Sequence, residues 1–188
     1  PFPATICISL NNEVVHGIPS AQRVMKDGDV VSFDFGVIYK DFYGDAAMTF
    51  ALGKVSDDAA RLIATTAAAL EEGIAQATVG NRLGNVSAAI QKRAESEGFS
   101  VVREFVGHGV GRRLHEDPAV PNYGVRDRGV RLREGMVIAI EPMVNAGKPD
   151  VQLQDDGWTA VTRDGSLSAH FEHSIAITEK GPLVLSRL

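Results

Sequence analysis

Apolar and polar positions alternate with a period of two over 30–38 (VVSFDFGVI) and 43–52 (YGDAAMTFAL), which predicts two strands. The short polar stretch at 39–41 joins them, so the pair reads as a hairpin. The period then lengthens. Leu62, Ile63, Ala67, Leu70 and Ile74 recur at helical spacing behind Ser56, a capping residue followed by Asp57 and Asp58 in the first turn. A second helix is predicted from Leu83 to Glu97, ending at Gly98, whose missing side chain suits a left-handed cap. Strand patterns return at 100–105 (SVVREF), 136–144 (MVIAIEPMV), 158–162 (WTAVT), 171–178 (FEHSIAIT) and 183–186 (LVLS). With no repeat, low-complexity tract or linker, the pattern predicts one α+β domain over residues 1–188.

Composition narrows the class. The 188 residues are 44% hydrophobic and 23% charged, which is globular and excludes a disordered tail, a collagen-like fibre and a disulfide-built miniprotein. The lone Cys7 closes no intrachain bridge, as expected in a reducing compartment. No apolar run approaches the roughly 18 residues of a membrane span. The opening segment PFPATICISLNNE also lacks the basic start of a secretory signal, so a cytoplasmic location and no membrane partner are expected. A net charge of −5, with basic residues scattered along the chain, argues against nucleic acid held by phosphate contacts. The one basic cluster, at 126–133, reads as a solvated loop and strand edge.

Acidic residues are depleted in strands and rarely buried unless paired, yet four fall within strand patterns here. Asp34 and Asp45 stand on the two arms of the hairpin. If Tyr39 and Lys40 alone form the connection, positions summing to 79 pair, and Asp34 faces Asp45 with Cβ atoms ~5 Å apart. Two like charges that close repel unless a cation lies between them. Parity puts Asp34 with Ser32 and Gly36, Asp45 with Ala47, Thr49 and Ala51, and Glu172 with Ser174, Ala176 and Thr178. Glu141 shares its face with Val137, Ala139 and Met143. Read singly, each acid is equally a solvated outer-face residue or half of an ion pair. Together, with an imidazole, they make a hard, oxygen-rich set suited to Mn, Fe, Co or Zn as a hydrolytic centre.

The imidazole is sought in GHGVGRRLHEDP, where His108 lies between glycines that let the backbone approach a ligand, and His115 follows. A lone histidine is more often structural or exposed than catalytic, and that holds for His108, His115 and His16 alike. His170 reads as solvated and His173 as a hydrogen-bonded core residue. The segment lacks the Lys and Ser/Thr of a phosphate loop. Nucleophilic catalysis finds no support either: Cys7 sits between Ile6 and Ile8 without a basic neighbour, and no Gly-x-Ser-x-Gly elbow occurs.

In combination, VVHGIP, SFDFGV, YGDAAMTF, VGHGVGRRLHEDP, AIEPMV and DDGWTAVTRDGSLSAHFEHSI resemble the bacterial type I methionine aminopeptidases over essentially the whole chain. The resemblance implies an α+β pita-bread fold and two divalent metal ions, drawn from Co, Mn, Fe or Zn. It implies the ligands Asp34, Asp45, His108, Glu141 and Glu172. His16, His115 and Glu141 would take the catalytic roles, with His16 and His115 also touching the substrate peptide. Phe2, Cys7, Leu114 and Trp158 fall where that family lines its methionine pocket. The implied activity is removal of N-terminal methionine from nascent proteins and peptides by water activated at a dinuclear centre. X-Pro peptidases share the ligand set, and metal-free relatives serve as binding modules. Glu-Pro-Met at 141–143, Asp-Gly-Trp at 156–158 and the run ending in Phe-Glu-His favour the methionine-specific branch.

Two features depart from the family pattern. Its members carry several dozen residues, with helices over the first half of the sheet, before the point matched by Pro1. An uncovered sheet face is therefore expected, with lowered stability, self-association through that face or a missing partner segment as its consequence. Ala46 and Ala47 also stand where small hydroxyl residues often follow Asp45.

Overall fold

The computed structural model describes residues 1–187. Four strands come first: β1 (Cys7–Leu10), β2 (Glu13–Val15), β3 (Val30–Tyr39) and β4 (Phe42–Ala51). Helices α1 (Asp57–Ala75) and α2 (Leu83–Ser96) follow. The rest of the chain forms β5 (Ser100–Val101), β6 (Gly107–Gly109), β7 (Glu116–Val120), β8 (Val137–Ile140) and β9 (Met143–Asn145). It ends in β10 (Val151–Leu153), β11 (Ala160–Thr162), β12 (Ser168–His170), β13 (Glu172–Thr178) and β14 (Gly181–Val184).

The predicted hairpin forms with a shifted turn. Lys40 and Asp41 make the two-residue connection, with φ of 48° and 67°, and Tyr39 pairs with Phe42. Both central residues of the primed turn that suits twisted strands need positive φ, so the turn falls one residue later than the polar pattern suggests. Partners sum to 81 instead of 79: Asp34 lies opposite Ala47, and Asp45 lies opposite Gly36. A slip of two preserves every face, so the two aspartates still share one side of the sheet but sit diagonally, about 7–8 Å apart, and not directly opposed.

Ser56 caps α1, its hydroxyl accepting from the Ala59 N–H at 3.2 Å. Leu62, Leu70 and Ile74 of α1 and Val86 and Ile90 of α2 are buried against Ile138, Ile140, Ile175 and Ile177 of β8 and β13, which form the principal core. Thr65 and Thr66 also fall on the buried face of α1, where the Thr66 hydroxyl donates back to the Leu62 carbonyl, whereas Ile63 and Ala67 are only half-buried. Gly98, at φ +81°, ends α2 as expected.

The strand patterns of the second half break into shorter pieces. The pattern at 100–105 yields only two residues of strand, and that at 136–144 divides into β8 and β9 because Pro142 has no N–H to continue a ladder. Glu141 therefore sits in the break, not in mid-strand, and Glu172 is the first residue of β13. The large sheet runs β1-β3-β4-β13-β8-β6-β7, with β14 also on β13, and two three-stranded sheets, β10-β11-β2 and β12-β9-β5, flank it. The basic segment at 126–133 is exposed loop apart from Leu132. The outer face of the β3–β4 hairpin exposes Phe35, Val37, Tyr39, Phe42, Met48 and Phe50, and no helix among the described residues is long and apolar enough to cross a membrane.

Candidate metal centre and substrate cavity

Three adjacent strands of the large sheet bring the first carboxylates together. Ala47 of β4 pairs with Asp34 of β3 on one side and with Glu172 of β13 on the other, so one small side chain separates two acids along a row, with Asp45 two residues away on the same face. Ser174 fastens β4 to β13 beside them: its hydroxyl accepts from the Asp45 N–H and donates to the Asp45 carbonyl, each at 2.9 Å. His108 enters from β6, where it pairs with Ala139.

Its flanking glycines let neighbouring strands approach closely. A Cβ on Gly107 would lie 2.3 Å from the Ala139 carbonyl oxygen, and one on Gly109 would lie 2.3 Å from that of Asp117. The His108 Nδ1–H donates to the Gly109 carbonyl at 2.9 Å. A carbonyl can only accept, so the proton belongs on Nδ1 and Nε2 is left to face the acids. That nitrogen lies 3.7 Å from Asp45 Oδ2 and 3.6 Å from Glu141 Oε1.

The five residues line a single cavity of about 90 Å³ together with His16, His115, Val15, Phe105 and Val106. Glu172 is 2% exposed, and Asp45 and His108 are each 7% exposed. Ligand atoms of Asp45, His108 and Glu172 all lie within 4.8 Å of one another. Glu172 Oε1 is buried with no hydrogen-bond partner among the described residues, although buried polar atoms are otherwise almost always paired. Burial pushes Asp34 up to about 6, with Asp45 and Glu141 adding to the rise against His170. Burial, followed by Glu141, Asp45 and Asp34, raises Glu172 well above the usual carboxylate range, and burial also raises Asp45. The neighbouring histidines offset this only in part. A hard cation meets the need of the orphaned oxygen and the crowded charges, and oxygen donors with one imidazole are the donor set it takes.

A second cavity, of about 520 Å³, opens beside the first and shares His16, Asp34, Asp45 and His115 with it. All six residues expected in a substrate pocket line it: Phe2, Cys7, His16, Leu114, His115 and Trp158. Phe2 meets Trp158 edge to face at 5.4 Å, and His16 lies between Phe105 and Trp158 at 5.6 and 6.4 Å. His16 takes a positive φ of 60°, and its ring is held below the usual histidine range by burial. His115 stacks obliquely on His108 with ring centroids 4.3 Å apart, and burial followed by His108 lowers it too. Cys7 pairs with Asp34 across β1 and β3, and burial together with that carboxylate pushes its thiol up to about 12. It is a strand residue, and no thiolate.

Two histidines differ from expectation. His170 is buried, at 1% exposure, and not solvated: its Nε2 lies 3.4 Å from Glu141 Oε2. Burial would lower this imidazole, but Glu141, with Asp34 and Asp45, raises it. His170 ends β12 and Glu172 begins β13, in different sheets, so strand parity in the sequence does not connect the two. His173 is half-buried, with Nδ1 2.8 Å from the Ser186 hydroxyl. Phe105, Val106 and Val15 carry no sequence signal for this site, because they are ordinary apolar residues brought in by chain folding.

A buried carboxylate and imidazole cluster, set beside an apolar cavity on an antiparallel sheet backed by two helices, is the architecture of a metal-dependent hydrolase. The model of metallopeptidase family M24 matches residues 1–179, and the chain belongs to that family. It is 52% identical over 185 residues to a methionine aminopeptidase of Clostridium acetobutylicum, covering 98% of this chain and 74% of the relative. Among solved structures, the methionine aminopeptidase of Thermotoga maritima superposes with a TM-score of 0.96 at 52% identity, over 97% of this chain and 74% of that one. The prolidase of Pyrococcus horikoshii shares the fold at a TM-score of 0.77 and 23% identity, over 98% of this chain but only 48% of its own. The pita-bread α+β expectation is thus met.

Proposed function

We propose that this chain removes the N-terminal methionine from nascent proteins and peptides by metal-dependent hydrolysis, its 188 residues forming one catalytic unit that works in the cytoplasm. The observation that carries the reading is the shared wall between the two cavities. His16, Asp34, Asp45 and His115 each face both the buried acid cluster and the apolar space, so a side chain held in the larger cavity presents its peptide bond to the smaller one. Relatives named methionine aminopeptidase, about half identical over nearly the whole chain, support the same assignment.

Asp34, Asp45, His108, Glu141 and Glu172 would hold two divalent ions, with Co, Mn, Fe and Zn all compatible with the donors. Such ions supply Lewis-acid chemistry that lets water deliver hydroxide near neutral pH. Glu141, between His108 and His170, would accept the proton of the attacking water and pass it to the departing amine. His16 and His115 have lowered pKa values, so each is a neutral imidazole near pH 7 and donates through a single N–H. Directed at the carbonyl oxygen as it gains charge, such a donor contributes roughly 3–4 kcal/mol. Phe2, Trp158 and Leu114 enclose an unbranched, polarizable methionine side chain, which adapts well to walls of aromatic and aliphatic groups.

Metal content per chain, taken with hydrolysis of Met-Ala-Ser before and after chelation, tests this directly. The expected result is release of free methionine with Co or Mn, abolished by chelator and restored by added metal. Faster cleavage of an Ala-Pro peptide would transfer the assignment to the X-Pro peptidases, and metal uptake with no turnover of any Met-peptide would mark a binding module.

A further inference from the structure

We propose that His170 is a positioning residue for Glu141, holding that carboxylate in the orientation the metal centre needs. The inference rests on reading the acid cluster as a metal centre, and it concerns a residue outside the five ligands.

Glu141 occupies the break between β8 and β9, and Pro142 beside it has no N–H to give a neighbouring strand. Its side chain must therefore be aimed by what touches it. His108 Nε2 lies 3.6 Å from Oε1 and His170 Nε2 lies 3.4 Å from Oε2, so two imidazoles bracket one carboxylate, one for each oxygen. His108 spends its Nδ1 proton on the Gly109 carbonyl, which leaves its Nε2 as a lone-pair donor unable to hydrogen-bond Glu141 in the neutral form. His170 has no such engagement. Neither ring nitrogen has a hydrogen-bond partner among the described residues, and Glu141 is the acceptor within reach of Nε2. At 3.4 Å the two atoms are within reach of each other, and alignment of the N–H on Oε2 is what a full hydrogen bond there still requires.

The backbone of His170 is fixed from both sides, which suits a residue whose task is to aim another. Its N–H donates to Thr49 Oγ1 at 2.8 Å, and the Thr49 hydroxyl donates to its carbonyl at 2.7 Å. Because that single proton is committed, Ser32 is the donor in its 2.8 Å contact with Thr49. The chain Ser32–Thr49–His170 thereby ties β3 and β4 to β12, which pairs through His170 with Met143, two residues beyond Glu141. An N–H held rigidly against a ligating carboxylate fixes which oxygen faces the ion, and loss of such a partner typically weakens metal affinity or activity by 10- to 100-fold.

The test compares His170→Gln, which keeps an N–H at similar reach, with His170→Leu, which removes it, using Mn²⁺ titration calorimetry and the steady-state kinetics of Met-Ala-Ser. Mn²⁺ should bind His170→Leu about 10- to 100-fold more weakly than the parent, with kcat reduced and KM little changed, whereas His170→Gln should stay within about threefold on every measure. Equal Mn²⁺ affinity in the parent and His170→Leu overturns the inference, as does a Gln variant as weak as the Leu variant. Should His170→Leu not fold, ¹⁵N spectra of the parent's histidine rings decide: a proton on His170 Nε2 in slow exchange with water is expected, and protonation at Nδ1 alone refutes it. A parent chain that takes up no Mn²⁺ overturns the metal-centre reading itself, an outcome distinct from any difference between variants.

Discussion

Asp34 and Glu172 stand on either side of the same residue, Ala47, across three consecutive strands. Two strand spacings put their backbones about 10 Å apart, and the single methyl group between them leaves the space into which both carboxylates and Asp45 open. A branched side chain at this position would fill that space. Ala47→Val should therefore weaken Mn²⁺ binding at least tenfold and cost about 1–3 kcal/mol from overpacking at a residue only 4% exposed. Ala47→Ser, little larger, should leave both nearly unchanged; Mn²⁺ calorimetry and urea denaturation of the two variants measure the contrast.

The raised carboxylates make the metal-free protein sensitive to pH in an unusual direction. Asp34 at about 6 holds in the folded chain a proton that the unfolded chain, at 3.8, has already released. Its contribution is fully favourable below about pH 4 and declines as pH rises toward 6, by up to about 3 kcal/mol. Chelated protein should thus lose stability from this group between pH 4 and 6, and Asp34→Asn should remove that slope. His16 and His115, lowered by burial, contribute equally to both proteins, so the difference between two denaturation series reads Asp34 together with its charge effect on Glu172 and His170. Metal uptake at pH 6 should release protons, read as a dependence of calorimetric heat on the buffer's ionisation enthalpy.

Cys7 lines the larger cavity yet should be chemically inert. A thiol pushed up to about 12 is almost wholly protonated at pH 8, so alkylation by iodoacetamide should run at least about 100-fold slower than for glutathione. Asp34→Asn removes the neighbouring carboxylate and should speed the reaction, although burial, the larger cause, remains.

The outer face of the β3–β4 hairpin should drive self-association. Phe35 and Met48 are 46% and 44% exposed among other large apolar groups on that face. Sedimentation velocity should show the mean mass rising with concentration, and a Phe35→Thr, Met48→Thr double variant, which keeps strand propensity, should stay monomeric. Concentration-independent monomer in the parent would show that this face does not pair.

Much of the acid cluster was legible in the sequence because face parity survives errors of register. Asp34 and Asp45 share a side of the sheet whether partners sum to 79 or 81, so a misplaced turn at 39–41 changed their separation but not their company. Glu141 was harder to place. Its apolar neighbours suggested a continuous strand, while Pro142 ended one, a local rule that the wider alternation concealed. The burial of His170 is not legible locally, because nothing near it in the chain reveals Glu141 or Thr49, which folding brings from 29 and 121 positions away. The glycines around His108 stand out in the sequence, but the carbonyls of Ala139 and Asp117 that exclude a side chain there belong to neighbouring strands and can be known only from the fold. Helices α1 and α2 were read most closely, since cap and period are local properties.

The partition shared by the two cavities limits how the protein could be redesigned. Because His16, Asp34, Asp45 and His115 are common to both chambers, on the proposed function an alteration of that boundary would change the choice of residue removed and the chemistry that removes it together. On the same reading, freedom to broaden or narrow selectivity would reside in the distal lining, at Phe2, Ile6, Leu114 and Trp158, which border only the wider chamber.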